Sequence, residues 1–299
     1  MSIQWLDGAS TGARRPADRL RQLLKQKGVA TVGAHDGMSA VLAKQTGFEA
    51  LYLSGAALSA SMALPDLGLL TLDDVTRRAR EVLRASGLPL IVDGDTGFGE
   101  ALNVMRAVRE MEEAGVACLQ IEDQLLPKKC GHLNDKKLAS QDDMCRKVIA
   151  ARKAASNMVI CARTDAAGVS LDEAIARAKA YAAAGAELIF VEALTSMDAI
   201  KRVRDEIDAP LLANMTEFGR TPQIPLAEWA KLGYEIVIYP VSSFRVAAKA
   251  IEGFYASLHE HGDVVEQLPH MMTRAELYGT IGYWDYEALD TTIARTKLP

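Results

Sequence analysis

Four segments of this 299-residue chain share one grammar, and it constrains the fold more than any other feature. "KQTGFEALYLSG", "EEAGVACLQIED", "AAAGAELIFVEA" and "AKLGYEIVIYP" each run from a helix-like stretch through a glycine into a short apolar stretch that ends in a polar residue or a proline. Glycine is the residue that takes the left-handed position at a helix C-terminus. An apolar run of four to six residues after it is the signature of a strand buried on both faces. Gly47, Gly115, Gly185 and Gly233 therefore mark four helix-to-strand junctions. Filling the intervals gives eight strands: 30–34, 50–54, 89–93, 117–122, 158–163, 187–192, 210–214 and 235–239. Between them "LDDVTRRAREVLRASG", "ALNVMRAVREMEEAG", "LDEAIARAKAYAAAG" and "SMDAIKRVRDEID" carry apolar residues at helical spacing, with charges on the other face. Strands alternating with helices mean parallel βαβ units. Eight units in this length fit a closed (β/α)8 barrel of TIM type, and no GxGxxG follows the first strand to favour an open dinucleotide-binding sheet. The expectation is one α/β barrel domain over 1–299, with 270–299 as a helical extension.

Charge and composition narrow the function classes. The formal net charge is -5, and there is no basic stripe of the kind that binds nucleic acid. No window approaches the roughly 20 apolar residues that span a bilayer, and the first 20 residues lack a signal-peptide core. The four cysteines, at 118, 130, 145 and 161, form no CxxC pair or disulfide framework, so a cytoplasmic protein with reduced thiols is expected. Cys118 and Cys161 fall in strands and Cys145 in a helix, where each reads as a small buried hydrophobe.

Barrel chemistry sits at the C-terminal ends of the strands. There the sequence places Ser54, Asp93 with Asp95, Glu122 with Asp123, Arg163 with Asp165, Glu192, and Asn214 with Thr216. In "IVDGDTGFG" the two aspartates share one side of a chain read as extended, and Glu122 ends the next strand. Three close carboxylates repel unless a cation joins them. All-oxygen ligands suit Mg2+, with Mn2+ as a substitute, and not zinc. Salt bridges to Arg163 or a lysine are the alternative. Gly97 and Gly99 follow in a tight turn.

The loop "LPKKCGHLND" follows the fourth strand. Zinc would need more N and S ligands than Cys130 and His132 supply. A nucleophilic Cys130 would need His132 as its base, and a proton-donating Cys130 would need a largely protonated thiol. Lys128 and Lys129 are placed to lower that thiol's pKa toward neutrality, unless they are simply solvated.

"YLSGA", "LPDLG", "VDGDTGFG", "IEDQ", "KKCGH", "ARTDA" and "ANMTEFG" occur in this order from about Ala30 onward. Together they resemble the isocitrate lyase and phosphoenolpyruvate mutase superfamily, and KKCGH is most similar to its short 2-methylisocitrate lyase branch. "SGAALSA" departs from the SGG-like turn of many members. The resemblance implies Mg2+ and a small 2-hydroxy di- or tricarboxylate cleaved at a C–C bond. Asp93, Asp95 and Glu122 would hold the metal. Ser54, Gly55 and Ala56 would bind a substrate carboxylate, and Arg163, Glu192, Asn214, Thr216, Arg245 and Arg274 would line the rest. Cys130, Gly131 and His132 would ride a gating loop, with Cys130 as acid, Lys128 and His132 tuning it, and Tyr52 as a possible base. The resemblance also implies a homotetramer whose eighth helix is swapped between subunits. The aromatics Tyr278, Tyr283, Trp284 and Tyr286 fit such contacts.

Overall fold

The computed structural model describes residue 6 and residues 15–293. Most of the N-terminal stretch read for a signal peptide, and the last six residues of the helical extension, lie outside the described residues. Two compact units emerge, 14–244 and 1–13 with 245–299.

The first unit holds a closed barrel of eight parallel strands in sequence order. They are β1 Val29–Gly33, β2 Ala50–Leu53, β3 Leu90–Asp93, β4 Cys118–Glu122, β5 Val159–Thr164, β6 Leu188–Val191, β7 Leu211–Asn214 and β8 Ile236–Tyr239. The eight expected strands are all present, displaced by a residue or so at their ends, where pairing stops before the polar residue that opens the loop. The helices of this unit are α1 Pro16–Leu23, α2 Gly37–Thr46, α3 Gly55–Ser61, α4 Leu72–Ser86, α5 Ala101–Glu113, α6 Gln141–Ala154, α7 Leu171–Ala183, α8 Met197–Glu206 and α9 Leu226–Lys231. The four repeat glycines sit at φ 99°, 92°, 113° and 87°. After each, the next amide reaches back five residues: Phe48 to Ala43, Val116 to Met111, Ala186 to Tyr181, Tyr234 to Trp229, at 3.0–3.2 Å. This is the hydrogen-bonded helix stop that glycine permits, and it turns the chain directly into the following strand.

Two apolar layers hold the barrel. The outer one fills the space between strands and helices, with Leu51, Val92, Val108, Ile160 and Val203 wholly buried. The inner one fills the lumen with Ile91, Cys118, Val159, Cys161, Leu188 and Ile236, and α1 adds Ala17, Leu20 and Leu23 to it. Each such fully buried aliphatic side chain contributes about 1.5–3 kcal/mol. Arg21 pins α1 by two hydrogen bonds to Glu187, 2.8 and 2.9 Å, and a third to Asn157, 2.9 Å. The N-terminal end is thus plugged, which leaves the opposite mouth for chemistry.

The second unit contains most of α10, Ser242–His261, then α11 Arg274–Ile281 and α12 Tyr283–Thr292. α10 has no buried residue in its 20 residues. Tyr278 stacks on Tyr283 at 4.4 Å, and Trp284 meets Tyr283 edge-on at 5.0 Å. Among the described residues no helix is long and apolar enough to cross a membrane.

Candidate active site at the barrel mouth

Strand register decides which side chains meet. Asp93 pairs with Gln120 across β3 and β4, and Glu122 with Arg163 across β4 and β5. Arg163 Nη1 accordingly lies 3.3 Å from Glu122 Oε2 and 3.5 Å from Glu192 Oε2. Its Nε and Nη2 donate to the two oxygens of Asp165 at 2.9 and 3.0 Å. The guanidinium also stands 5.2 Å from the centre of the Phe190 ring. Asn214 donates to Glu192 at 3.2 Å and accepts from the Thr216 amide at 3.0 Å. A cavity of about 50 Å³ is lined by Tyr52, Ser54, Ala56, Asp93, Lys128, Cys130, Gly131, His132, Arg163, Glu192, Asn214 and Thr216. Most of the residues expected at the mouth therefore converge. Arg245 and Arg274 belong to the second unit.

The aspartate pair is built differently from the extended chain read in the sequence. β3 ends at Asp93, and Asp95 turns to φ 48°. The turn still brings both carboxylates against Gly55, where an added Cβ would stand 3.2 Å from Asp93 and 3.3 Å from Asp95. Gly55 donates its amide to Asp93 Oδ2 at 3.2 Å, so that amide is already engaged. Ser54 Oγ accepts the Ala57 amide at 3.3 Å and keeps its own proton as a donor. Asp95 is pushed up to about 6 by burial and by Asp93, with Lys128 opposing. Burial also drives Glu122 well above the usual carboxylate range against the pull of Arg163. The positive charge between these groups is an ammonium: Lys128 Nζ is 2.6 Å from Asp95 Oδ1 and bonds Asp66 as well. Among the described residues no three acidic, histidine or cysteine side chains already form a metal-ligating cluster. Two donors nevertheless fit a divalent cation. Glu122 Oε1 is buried without a hydrogen-bond partner, and Asp95 Oδ1 is held by the Lys128 ammonium at 2.6 Å, a cation whose place a metal ion would take. Mg2+ needs only one or two protein carboxylates besides water and substrate oxygens.

Two expected roles change. Tyr52 is almost wholly buried and donates to Gln120 at 2.9 Å, while Gln120 reaches Asp93 at 3.4 Å. Burial and Asp93 push the phenol well above its ordinary pKa. It stands as a proton donor, which argues against the base reading. Neither Lys128 nor Lys129 is among the main influences on the Cys130 thiol: Lys128 is engaged by Asp66 and Asp95, and Lys129 reaches the Asn134 carbonyl at 3.4 Å. Cys130 is exposed at the mouth, yet the protein packed round its thiol pushes the pKa up, with the His132 amide and Arg163 opposing. The His132 ring does not hold the thiol either. Its Nδ1 accepts the Arg220 amide at 3.0 Å, which leaves the proton of the neutral ring on Nε2, 3.5 Å from Glu192. Burial lowers its pKa.

Sequence reading gave no role to three residues of this site and misplaced a fourth. Gln120 was legible, because period two puts it on the same face as Glu122. Asp66 lies in the quoted LPDLG motif with no role assigned to it, and Lys136 sits in a loop with no local signal. Asp123 was expected at the mouth with Glu122, but alternation turns it to the other side of the strand. There it accepts from Thr164 at 2.7 Å, Tyr181 at 2.9 Å, Arg177 at 3.2 Å and the Asp165 amide at 3.0 Å.

Comparison with known proteins agrees with this geometry. Residues 20–259 match the family model described as phosphoenolpyruvate phosphomutase. A 2-methylisocitrate lyase of Bacillus subtilis is 50% identical over 99% of each chain, and one of Halalkalibacterium halodurans is also 50% identical over 99% of each. The crystal structure of a 2,3-dimethylmalate lyase superposes with a TM-score of 0.88 at 32% identity, covering 96% of this chain and 100% of that one. With its eight-stranded barrel, its acidic mouth and these matches along almost its whole length, the chain belongs to the phosphoenolpyruvate phosphomutase family, within the isocitrate lyase and PEP mutase superfamily.

Proposed function

We propose that the chain is a carbon–carbon lyase that cleaves 2-methylisocitrate to pyruvate and succinate, with Mg2+ as its cofactor. The single observation that carries this reading over the phosphonate chemistry of other family members is Cys130. A thiol whose pKa is pushed up by burial lines the same small cavity as Arg163. Asp93, Asp95 and Glu122 would hold the metal. When bound, Mg2+ lowers the pKa of a chelated hydroxyl and stabilises the emerging oxo acid.

The protein's own groups account for the rest. Arg163, fixed in plane by Asp165, offers Nη1 to a substrate carboxylate. Ser54 adds a hydroxyl donor. When the hydroxyl proton passes to solvent water and the C–C bond breaks, the O–H electron pair becomes the carbonyl of pyruvate and the C–C pair passes to the succinyl carbon as a strongly basic carbanion equivalent. The Cys130 thiol gives that carbon its proton and is restored from solvent. A cavity of 50 Å³ is far below the roughly 300 Å³ typical of ligand sites, so the loop must lift to admit substrate. Related action on 2,3-dimethylmalate or oxaloacetate keeps the same thiol and differs only in what fills the pocket, whereas a phosphonopyruvate mutase or hydrolase leaves Cys130 without a task.

The reading extends to assembly and place. α10 to α12 expose Val246, Ile251, Tyr255 and Trp284, Trp284 to 58%. Large apolar side chains exposed in this number suit an interface. A second copy of the chain, exchanging helices in a homotetramer, would cover it. Four unpaired cysteines suit the cytoplasm. The direct test is to incubate the purified protein with 2-methylisocitrate and Mg2+ and measure both products. Pyruvate and succinate in equal amounts support the reading, and neither product overturns it.

A further inference from the structure

Lys136, just past the cysteine loop of 126–135, has no task in the chemistry above. Its side chain is only 8% exposed, an uncommon state for lysine unless it is paired. The ammonium donates to Asp165 Oδ1 at 2.9 Å and to the carbonyl of Gly131. These two acceptors belong to different kinds of structure. Gly131 is in the loop that must lift. Asp165 is fixed to the barrel: its amide bonds Asp123, and Asp123 is itself held by Thr164, Tyr181 and Arg177. The same Asp165 clamps Arg163. One carboxylate therefore fixes the arginine and, through Lys136, the segment that carries Cys130.

We propose that Lys136 is a positioning residue, a latch that bridges the Gly131 carbonyl to Asp165 and so holds the Cys130 thiol over the mouth. Its consequence for turnover rests on the lyase reading; the latch itself does not. When the loop lifts, Lys136 loses the Gly131 carbonyl and Asp165 keeps Arg163 in place. When the loop returns, the ammonium regains both acceptors at once, and Gly131 settles where even a Cβ would stand 2.4 Å from Arg163 and 2.9 Å from Asp165.

The test compares Lys136→Met, Lys136→Gln and Lys136→Arg with the parent protein. Two readouts need no turnover: iodoacetamide alkylation of Cys130, followed by peptide mass spectrometry, and amide hydrogen exchange over 126–135. Loss of the ammonium should raise Cys130 alkylation about tenfold or more and speed exchange in the loop while β5 is unchanged. Lys136→Arg, which keeps the charge, should stay within about threefold of the parent. Lys136→Gln decides the matter if Lys136→Met does not fold. With substrate, kcat should fall more than KM rises, because the latch acts after binding. Unchanged alkylation and exchange in the folded neutral variants would overturn the latch. Failure of the lyase reading would appear separately, as absence of turnover in the parent protein with its loop protection intact.

Discussion

Arg163 and Asp165, two residues apart where β5 leaves the barrel, grip each other through parallel hydrogen bonds of 2.9 and 3.0 Å. Only Nη1 remains turned toward Glu122 and Glu192 at the mouth. A lysine cannot reproduce a two-point grip while also facing the pocket. Arg163→Lys should lower kcat/KM by about 10- to 150-fold, the value of one charge-assisted hydrogen bond, with KM raised. Steady-state kinetics on the two proteins checks this; a change under threefold would remove Arg163 from substrate binding.

Gly131 is glycine because of crowding, since an added Cβ would stand 2.3 Å from Glu192 Cγ. Gly131→Ala should keep the barrel's thermal stability, as the loop can stay lifted, yet lose most of kcat. Melting temperature and kcat measured on the same preparation separate the two effects.

Cys130→Ser should retain binding of pyruvate with Mg2+ and lose most of kcat, because a serine hydroxyl is a far weaker acid than a thiol. The pH dependence follows from the raised thiol pKa. The protonated form is complete below that pKa and is lost as pH rises through it. Alkylation of Cys130 should accordingly have its midpoint above that of an unperturbed cysteine, and the alkaline limb of kcat/KM, which reports the free enzyme, should fall at the same pH. A midpoint below it would contradict the acid role.

Asp95 offers a stability test in metal-free protein. Its folded-state pKa is raised from 3.8 to about 6, so the fold favours the protonated form. The stability it contributes is present below about pH 4 and is lost as pH rises through 6. Well above 6 that loss corresponds to about 3 kcal/mol. Asp95→Asn should raise the melting temperature by several degrees at pH 8 and leave it nearly unchanged at pH 4. Mg2+ should stabilise the parent protein and not the variant. An equal shift at both pH values would refute the assignment.

The assembly proposal predicts that ending the chain after Met272 yields a smaller particle by light scattering. An unchanged tetramer would refute helix exchange.

The barrel was legible because its signals are local. A glycine in the left-handed position, a run of apolar residues and a polar strand end each lie within a few residues of one another, and they recur. Asp93, Glu122, Arg163 and Glu192 were legible for the same reason. Lys128 was legible as a neighbour of Cys130 but not as the lysine that the carboxylates would bind: its partner Asp66 is 62 residues away. Tyr52 shows the other limit. Its place on a strand was clear, but its protonation follows from burial and from Asp93 on the neighbouring strand.

A comparison of kcat/KM, with Mg2+, for 2-methylisocitrate, isocitrate, 2,3-dimethylmalate, oxaloacetate and phosphonopyruvate decides the substrate. 2-Methylisocitrate should lead the panel, by about tenfold or more over isocitrate, as one well-placed methyl group allows. Turnover should also be abolished by EDTA and restored by Mg2+. Preferred turnover of phosphonopyruvate, or full activity in excess chelator, would contradict the Mg2+-dependent lyase reading.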